Sequence, residues 1–367
     1  MKRNIQIISV IVIVIIVGGS AFGIEHYLNN SNASNSSKST ADTLTPVYNV
    51  NVTEANGTVE SFNLSNVGGY AYIPSPQNGT WDLNHTLSRI VTLIPSVTAT
   101  LYALHSYNDV IGVDQYSVYP APTKNVTVFN FEIGSIPLES ITNLTPGVVV
   151  DTSGTFSTQQ LNQLVNVLHI PYLVIDPGTI SQIENQTTLL GYLTGTSNNA
   201  NIINSWMNYN IQNLSNDLSN ISSSSEYSVF YYLYPASDGI YTAGPGTFIN
   251  QELKDAHLNN IVNVTGYPVV SAATVANANP DYVLLDQYTN ETTLNQTIQG
   301  LPAEKQNHIV QIANDDFFSE PNFRIVYSMY WLAEQFYPHN VNLSDVYSFN
   351  KYTGLNLSQQ PGVGVNS

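Results

Sequence analysis

One statement occurs twice in this chain, and the repetition constrains the fold more than any other feature. PLESITNLTPGVVVD runs from Pro137 to Asp151, and ATVANANPDYVLLD runs from Ala273 to Asp286. Each is a short helix-compatible run, then Asn-x-x-Pro, then aliphatic and β-branched residues closed by an aspartate. Pro146 and Pro280 cannot continue a helix and bias the preceding residue away from it. Gly147–Val150 and Tyr282–Leu285 do not alternate, so they read as strands buried on both faces of a sheet. A second pair extends the repeat. Arg89 to Asp114 gives strand, loop, helix and short strand, and Ser228 to Val264 gives the same order with a longer loop. Both helices end near a histidine and an asparagine, His105 and Asn108, His257 and Asn260. Two α/β halves of one plan predict two lobes facing one cleft.

The 367 residues are enough for two α/β domains with proper cores. Charged residues are only 10%, against about 25% in an average soluble protein. A net charge of -17 with nine Lys and Arg excludes a nucleic-acid partner, which needs clustered bases. The absence of cysteine rules out disulfides, thiolate metal sites and a lipid-modified cysteine anchor. So few charges of either sign predict tolerance of acid, where protonated carboxylates would otherwise leave unbalanced positive charge. A stability optimum near neutral pH with collapse below about pH 4 would contradict this.

Residues 1–28 open with Lys2 and Arg3 before a mostly aliphatic run, Ile5 to Ile24. At 1.5 Å per residue that run spans roughly 30 Å, a bilayer's hydrocarbon thickness. The two bases place the N-terminus inside and the remainder outside. A membrane anchor is expected, with a cleaved signal peptide as the alternative. Residues 29–45, rich in Asn, Ser and Thr, read as a flexible stalk. Eighteen Asn-x-Ser/Thr triplets occur, against about eight by chance, which fits a glycosylated outer-surface protein. Residues 46–178 comprise an N-terminal hairpin and the first lobe. Val47–Phe62 alternates about Asn56-Gly57, a strong hairpin signal. Strands are expected near Ile90–Leu93, Val110–Val113, Val148–Val150 and Tyr172–Ile175. Residues 179–225 have apolar spacing of a helical connector, and Gly191 and Gly195 leave one helix or two open. Residues 226–338 form the second lobe, ending in a helix over Phe323–Phe336, and 339–367 form a tail.

No phosphate-binding glycine loop, zinc-protease helix or nucleophile elbow is present. The seven histidines are scattered, and His105, His169 and His257 lie at helix ends or before strands, as structural histidines do. Gly244–Gly246 could cradle an anion, but a tight turn is the simpler reading. Asp315-Asp316 could bind a cation or act as an acid–base pair, and is otherwise a solvated turn. Aromatic and hydroxyl residues gather at strand ends, where an α/β cleft collects its ligand. The candidates are Tyr116, Tyr119, Tyr241, Tyr288, Phe317 and Phe318, the hydroxyls Ser96, Thr98 and Thr247, and Asp316. Together they imply a large, partly apolar ligand, with no cofactor and no catalytic set.

The chain resembles the cobalamin and ferric-siderophore binding proteins that deliver ligands to ABC importers. The resemblance covers most of Val47 to Pro338. It rests on the opening hairpin, RIVTLIPSVTATLYAL, VIGVDQYSVYP, IGSIPLESITNLTPGVVV, TAGPGTFINQEL, VANANPDYVLL and PNFRIVYSMYWLAEQFYP, in that order. It implies two Rossmann-like α/β lobes joined by a long helical connector, with a metal chelate held in the cleft between them. It further implies a monomer partnered by a permease and an ATPase. An acid on each lobe docks such proteins onto permease arginines. The first matches Glu139; the second falls at Ala273, so Asp281 substitutes or docking is less electrostatic. The aromatic that some members place before the first acid falls at Ile133. With so few bases, of which Arg89 and Arg324 match structural positions, a corrinoid or hydroxamate chelate fits better than a catecholate trianion. A surface adhesion or sensory ectodomain on the same fold is the alternative, and an enzyme is a more distant one.

Overall fold

The computed structural model describes residues 44–357 except 75–77, 85, 132–134, 299–307 and 313–314, and the side chains of 295–297 and 315–316 also lie outside the description. The described residues divide between two compact units at Asn204/Ser205. In the N-terminal unit the strands are β1 (Asn49–Thr53), β2 (Val59–Asn63), β3 (Tyr70–Tyr72), β4 (Thr80–Leu83), β5 (Ile90–Thr92), β6 (Val110–Asp114), β7 (Thr127–Phe129), β8 (Val148–Asp151) and β9 (Tyr172–Val174). Its helices are α1 (Pro95–Ala103), α2 (Leu138–Asn143), α3 (Thr158–Asn162) and α4 (Ile180–Thr194). Helix α5 (Ser197–Asp217) carries the chain across the boundary.

The main sheet has the order β3-β9-β8-β5-β6-β7, with all neighbours parallel except β3 on β9. Strands β5, β8 and β9 are buried at every position, as runs without alternation require. Val91, Val149, Tyr172 and Val174 pack with Ile141 and Leu164 into one core. The expected hairpin is β1–β2, and β4 joins β1 in parallel to make a separate three-stranded sheet.

The C-terminal unit contains β10 (Tyr227–Tyr232), β11 (Tyr234–Pro235), β12 (Ile240–Tyr241), β13 (Leu258–Asn260), β14 (Val269–Val270), β15 (Tyr282–Leu285) and β16 (Ile309–Gln311). Its helices are α6 (Phe248–Asp255), α7 (Ala272–Ala278), α8 (Glu291–Thr297), α9 (Asp315–Phe318), α10 (Ile325–Phe336) and α11 (Phe349–Thr353). The parallel sheet has the order β13-β10-β15-β16. If each unit's strands are numbered along the repeat, β5, β6, β8, β9 and β10, β13, β15, β16 both read 2-1-3-4 across the sheet. The sequence repeat is therefore a repeat of topology.

The two copies of Asn-x-x-Pro also use one backbone device. Thr145 and Asn279, each just before its proline, take φ of 49° and 50°. Left-handed backbone ends the helix, and proline prevents its resumption. A threonine there is strained, because its branched Cβ crowds the carbonyl. Arg89 stabilises that end: its Nε donates to Thr145 O at 3.0 Å, and Nη2 donates to Leu144 O and to Thr145 Oγ1. His105, His169 and His257 have φ of 64°, 55° and 54°. Each follows the last turn of a helix, so these three histidines are helix stops.

Between residues 179 and 217 there are two helices. Gly195, at φ 69°, caps α4 in the left-handed conformation, with its N–H bonded to Tyr192 O. Helix α4 packs within the N-terminal unit, where Gln186 Nε2 donates to Thr100 Oγ1 of α1 at 3.4 Å. Among the described residues no helix is long and apolar enough to cross a membrane. The segment expected to act as an anchor, residues 1–28, and the stalk up to residue 43 lie outside the described residues.

Candidate functional site

In an open parallel sheet, ligands collect beyond the carboxyl ends of the strands, where the strand order reverses. In the N-terminal unit that place is the end of β5 and β8. Strand β5 passes through Leu93 and Ile94 directly into α1, whose first residue is Pro95, where proline's missing N–H costs nothing. Ser96 is 1% exposed, and its Oγ has no hydrogen-bond partner among the described residues. A buried hydroxyl without a partner carries a cost of about 1–3 kcal/mol, so this atom stands ready for an acceptor or donor brought by a ligand. Thr98, fully buried, donates to Ile94 O at 3.2 Å and lies 2.9 Å from Ser117 Oγ. Ser117 in turn donates to Asp114 Oδ2 at 2.6 Å, and Tyr116 N donates to Asp114 Oδ1 at 2.7 Å.

Two more aspartates close neighbouring strands. Asp151 Oδ1 accepts from Thr152 N at 2.7 Å and Thr155 Oγ1 at 3.1 Å, and its Oδ2 accepts from the Tyr172 hydroxyl at 3.3 Å. Asp176 accepts from Thr152 Oγ1 and, at 3.0 Å, from Ser153 N. Burial pushes the Asp114 carboxyl up to about 6, against the hydrogen bonds that favour its charge. Burial also holds Asp151 well above the usual carboxylate range, with Asp176 and Asp114 adding repulsion, and raises Asp176. This edge is thus acidic in composition, with burial favouring the neutral form of each carboxyl. Asp114, Asp151 and Asp176 are absent from the sequence-derived candidates. The signal was present, since VIGVD, VVVD and YLVID each end a hydrophobic run in aspartate.

The corresponding edge of the C-terminal unit has a different chemistry. Asp286, directly after β15, accepts from the Tyr231 hydroxyl at 3.0 Å and from Tyr288 N at 3.0 Å. Residues 233–247, between β10 and α6, form an arm in which β12 pairs with β11 and with β14. Tyr241 stacks on Tyr234 across that arm, with centroids 4.4 Å apart and planes at 23°. Thr242 is fully buried, and its Oγ1 has no partner among the described residues.

The predicted site residues fall into three groups. Ser96 and Thr98 lie at the β5 end. Tyr116 and Tyr119, both half-buried, lie just beyond β6; Gln115 Nε2 donates to the Tyr116 hydroxyl at 2.7 Å, and Tyr119 packs edge-on against Tyr102 at 5.7 Å. Tyr241 and Tyr288, the latter 40% exposed, lie at the second edge. Three expectations need correction. Phe317 is fully buried and packs edge-on against Trp331 of α10 at 6.3 Å, so it is core; Phe318 likewise packs on Tyr231. Thr247 is the N-cap of α6, accepting from Asn250 N at 3.1 Å and donating to Gly244 O at 2.8 Å. Ile133 and the Asp316 side chain lie outside the described residues.

The Gly244–Gly246 stretch is a tight turn. Its Gly244 N–H is bonded to Gly266 O, and a Cβ on Gly244 would fall 1.9 Å from the Val264 carbonyl oxygen. Among the described residues no group of three or more His, Asp and Glu could hold a metal ion. Glu139 is exposed in the first turn of α2, and Ala273, the matching second residue of α7, is exposed as well. Asp281 is committed elsewhere: its Oδ2 accepts from Ser228 N at 2.8 Å and Ser228 Oγ at 2.7 Å.

Residues 90–315 match the family model described as periplasmic binding protein. An uncharacterised ABC transporter substrate-binding lipoprotein of Bacillus subtilis is 25% identical over 257 residues, covering 68% of this chain and 80% of that one. A cobalamin-binding protein of Halobacterium salinarum is 25% identical over 283 residues, covering 74% of each chain. A solved periplasmic heme-binding protein from a Roseiflexus species, in apo form, is similar with a TM-score of 0.60 at 19% identity, covering 69% of this chain and 98% of that one.

Proposed function

The chain belongs to the periplasmic binding protein family, and on that premise we propose that it is the extracellular substrate-binding component of an ABC importer, capturing a metal chelate of cobalamin, heme or ferric-hydroxamate type. It binds and releases its ligand without chemistry, as a family of transport components implies. The observation that carries this reading is the shared 2-1-3-4 strand order of two α/β units, each with buried polar atoms at the carboxyl ends of its first and third strands. The curated relatives support the transport role, one by its description as an ABC transporter component and the other by its cobalamin.

The choice among chelates follows from charge. Arg89 is spent on the end of α2, and Arg324 pairs with Glu320 at 2.5 Å. With Asp114, Asp151 and Asp176 at one edge, a trianionic catecholate complex would meet repulsion. A neutral corrinoid or hydroxamate complex would find hydroxyl and aromatic partners. The tether differs from that of the lipoprotein relative, because the sequence has no cysteine to modify; the apolar segment Ile5–Ile24 takes that role. Glu139 is the acid that would meet the permease.

A thermal-shift panel on the purified full chain at pH 7, where Asp114 is ionised, tests the ligand class. Its members would be cobalamin, heme, hydroxamate and catecholate ferric chelates, and free metal ions. Ligand at 100 times its Kd adds about 2.7 kcal/mol to stability. Stabilisation by cobalamin, heme or the hydroxamate complex is expected. Silence across the panel from a folded protein would sink the chelate reading, and a shift with catecholate alone would overturn the charge argument.

A further inference from the structure

The 46 residues from Leu44 to Arg89 precede the family match and contain seven asparagines. Five of them, Asn51, Asn56, Asn63, Asn78 and Asn84, head an Asn-x-Ser/Thr triplet. The nine Ser and Thr among those residues would give about one such triplet by chance. The excess sits on one structure, the sheet β2-β1-β4. Its register places the asparagines: Asn49 pairs with both Asn63 and Thr80, while Thr53 pairs with Val59 and Val52 with Leu83. Asn63 therefore closes β2 at the end of the sheet where Asn78 precedes β4. Asn56, in the hairpin turn, and Asn84, just after β4, lie at the opposite end. These four mark the four corners, and all four are exposed.

Asn51 differs from them. It is half-buried in the central strand, its Nδ2 donates to Asp82 Oδ1 at 2.8 Å, and its Oδ1 accepts from Ser61 Oγ at 2.8 Å. Among the described residues β2 and β4 each pair only with β1, so each presents an open edge. Open edges template pairing with other chains unless something covers them.

We propose that Asn56, Asn63, Asn78 and Asn84 carry N-linked glycans that fence both edges of this sheet, and that Asn51 stays unmodified. The proposal rests on the extracellular reading, because transfer needs a membrane-bound transferase and a polyprenyl-phosphate-linked oligosaccharide on the outer face. In the transfer the asparagine Nδ2 bonds to the sugar C1 as the C1–O bond to phosphate breaks. The lipid phosphate leaves with the electron pair, and one amide proton passes to a base of the transferase. Each glycan adds bulk beside a strand end while leaving the backbone ladder intact.

The test is mass spectrometry of peptides from the full chain, isolated from the cells that make it. Sugar mass is expected on the four corner asparagines and not on Asn51. Bare corner peptides, with sugar at the exposed Asn125, Asn220 or Asn342, would overturn the proposal and leave the chain outside the cell. No sugar anywhere, with the chain resistant to protease added to intact cells, would overturn the proposal and the extracellular reading together. No sugar in a protease-sensitive chain would overturn the proposal alone, and sugar on Asn51 would overturn the discrimination. For the fencing role, Thr58→Ala, Ser65→Ala, Thr80→Ala and Thr86→Ala in one chain remove the triplets and keep every asparagine. That variant, or native protein stripped enzymatically of sugar, is expected to self-associate in sedimentation. A stripped protein that stays monomeric would overturn that role.

Discussion

At the carboxyl edge of the N-terminal unit, the buried Asp114 and Asp151 and the half-buried Asp176 accept bonds from hydroxyl and N–H groups, and Asp176 and Asp114 both repel Asp151. At the same edge of the C-terminal unit a single buried aspartate stands under a tyrosine hydroxyl, beside an arm carrying a stacked tyrosine pair. The strand order behind both is the same. One backbone plan therefore supports a polar, titrating edge and an aromatic one, because the sheet core fixes the strands and leaves their terminal residues free to differ. The C-terminal unit buries a further acid away from that edge. Glu252 of α6 faces Ser328 of α10, whose Oγ donates to it at 3.2 Å, and burial holds its carboxyl well above the usual range.

The difference can be broken at Asp114. Its carboxyl is raised in the folded chain, so the stability it contributes is present below about pH 4 and is lost as pH rises to about 6. Asp114→Asn imitates the protonated form and keeps an acceptor for Tyr116 N. It is expected to gain on the order of 3 kcal/mol at pH 7 and nothing below pH 4, as read from denaturant unfolding at the two pH values. Glu252→Gln should stabilise in the same direction at pH 7, but only Asp114→Asn should also alter ligand affinity. Equal ligand binding by the two variants would erase the distinction between edge and interior.

The paired tyrosines sharpen the comparison at smaller scale. Tyr231→Phe removes a 3.0 Å bond to Asp286 and should cost about 1–2 kcal/mol. Tyr172→Phe removes a hydroxyl shared between Thr152 O at 3.1 Å and Asp151 Oδ2 at 3.3 Å, the latter on a carboxyl whose pKa burial raises, and should cost about 1 kcal/mol. A larger loss from Tyr172→Phe would mean that the N-terminal edge depends on that hydroxyl. Smallest of all, Thr145→Asn relieves a branched side chain at positive φ, for a gain of about 0.5–1 kcal/mol in thermal unfolding. The same φ at Asn279 is already held by asparagine, so Asn279→Gly should change little.

Periodicity and punctuation made the parallel sheets legible. Runs such as Val148–Val150 and Tyr282–Leu285 name buried strands, and Asn-x-x-Pro names helix stops, because both follow from local sterics. The acidic edge was written in the same letters, yet its meaning depends on burial. Asp151 ends β8, Asp176 follows the adjacent β9, and Asp114 closes β6 on the other side of β5, an order that only the sheet supplies. Aromatics misled for the converse reason. Phe317 and Tyr288 both follow strands, but α9 turns Phe317 inward while Tyr288 remains at the surface. Thr247 looked like a ligand hydroxyl, and Asn250 N claims it as a helix cap.

The two units also differ in how far their first crossover travels. Two residues, Leu93 and Ile94, separate β5 from α1, whereas residues 233–247 separate β10 from α6. Loop closure costs only about 0.6 kcal/mol for each doubling of length, so an arm already grown out of the sheet can be lengthened or exchanged at little thermodynamic penalty. The short connection has no such latitude, since any insertion there would displace Pro95 and Ser96 from the helix start. Under selection for a new ligand, variation should accumulate in the 233–247 arm while the β5–α1 junction stays nearly constant, so that one sheet edge can drift while the other is held by its own helix start.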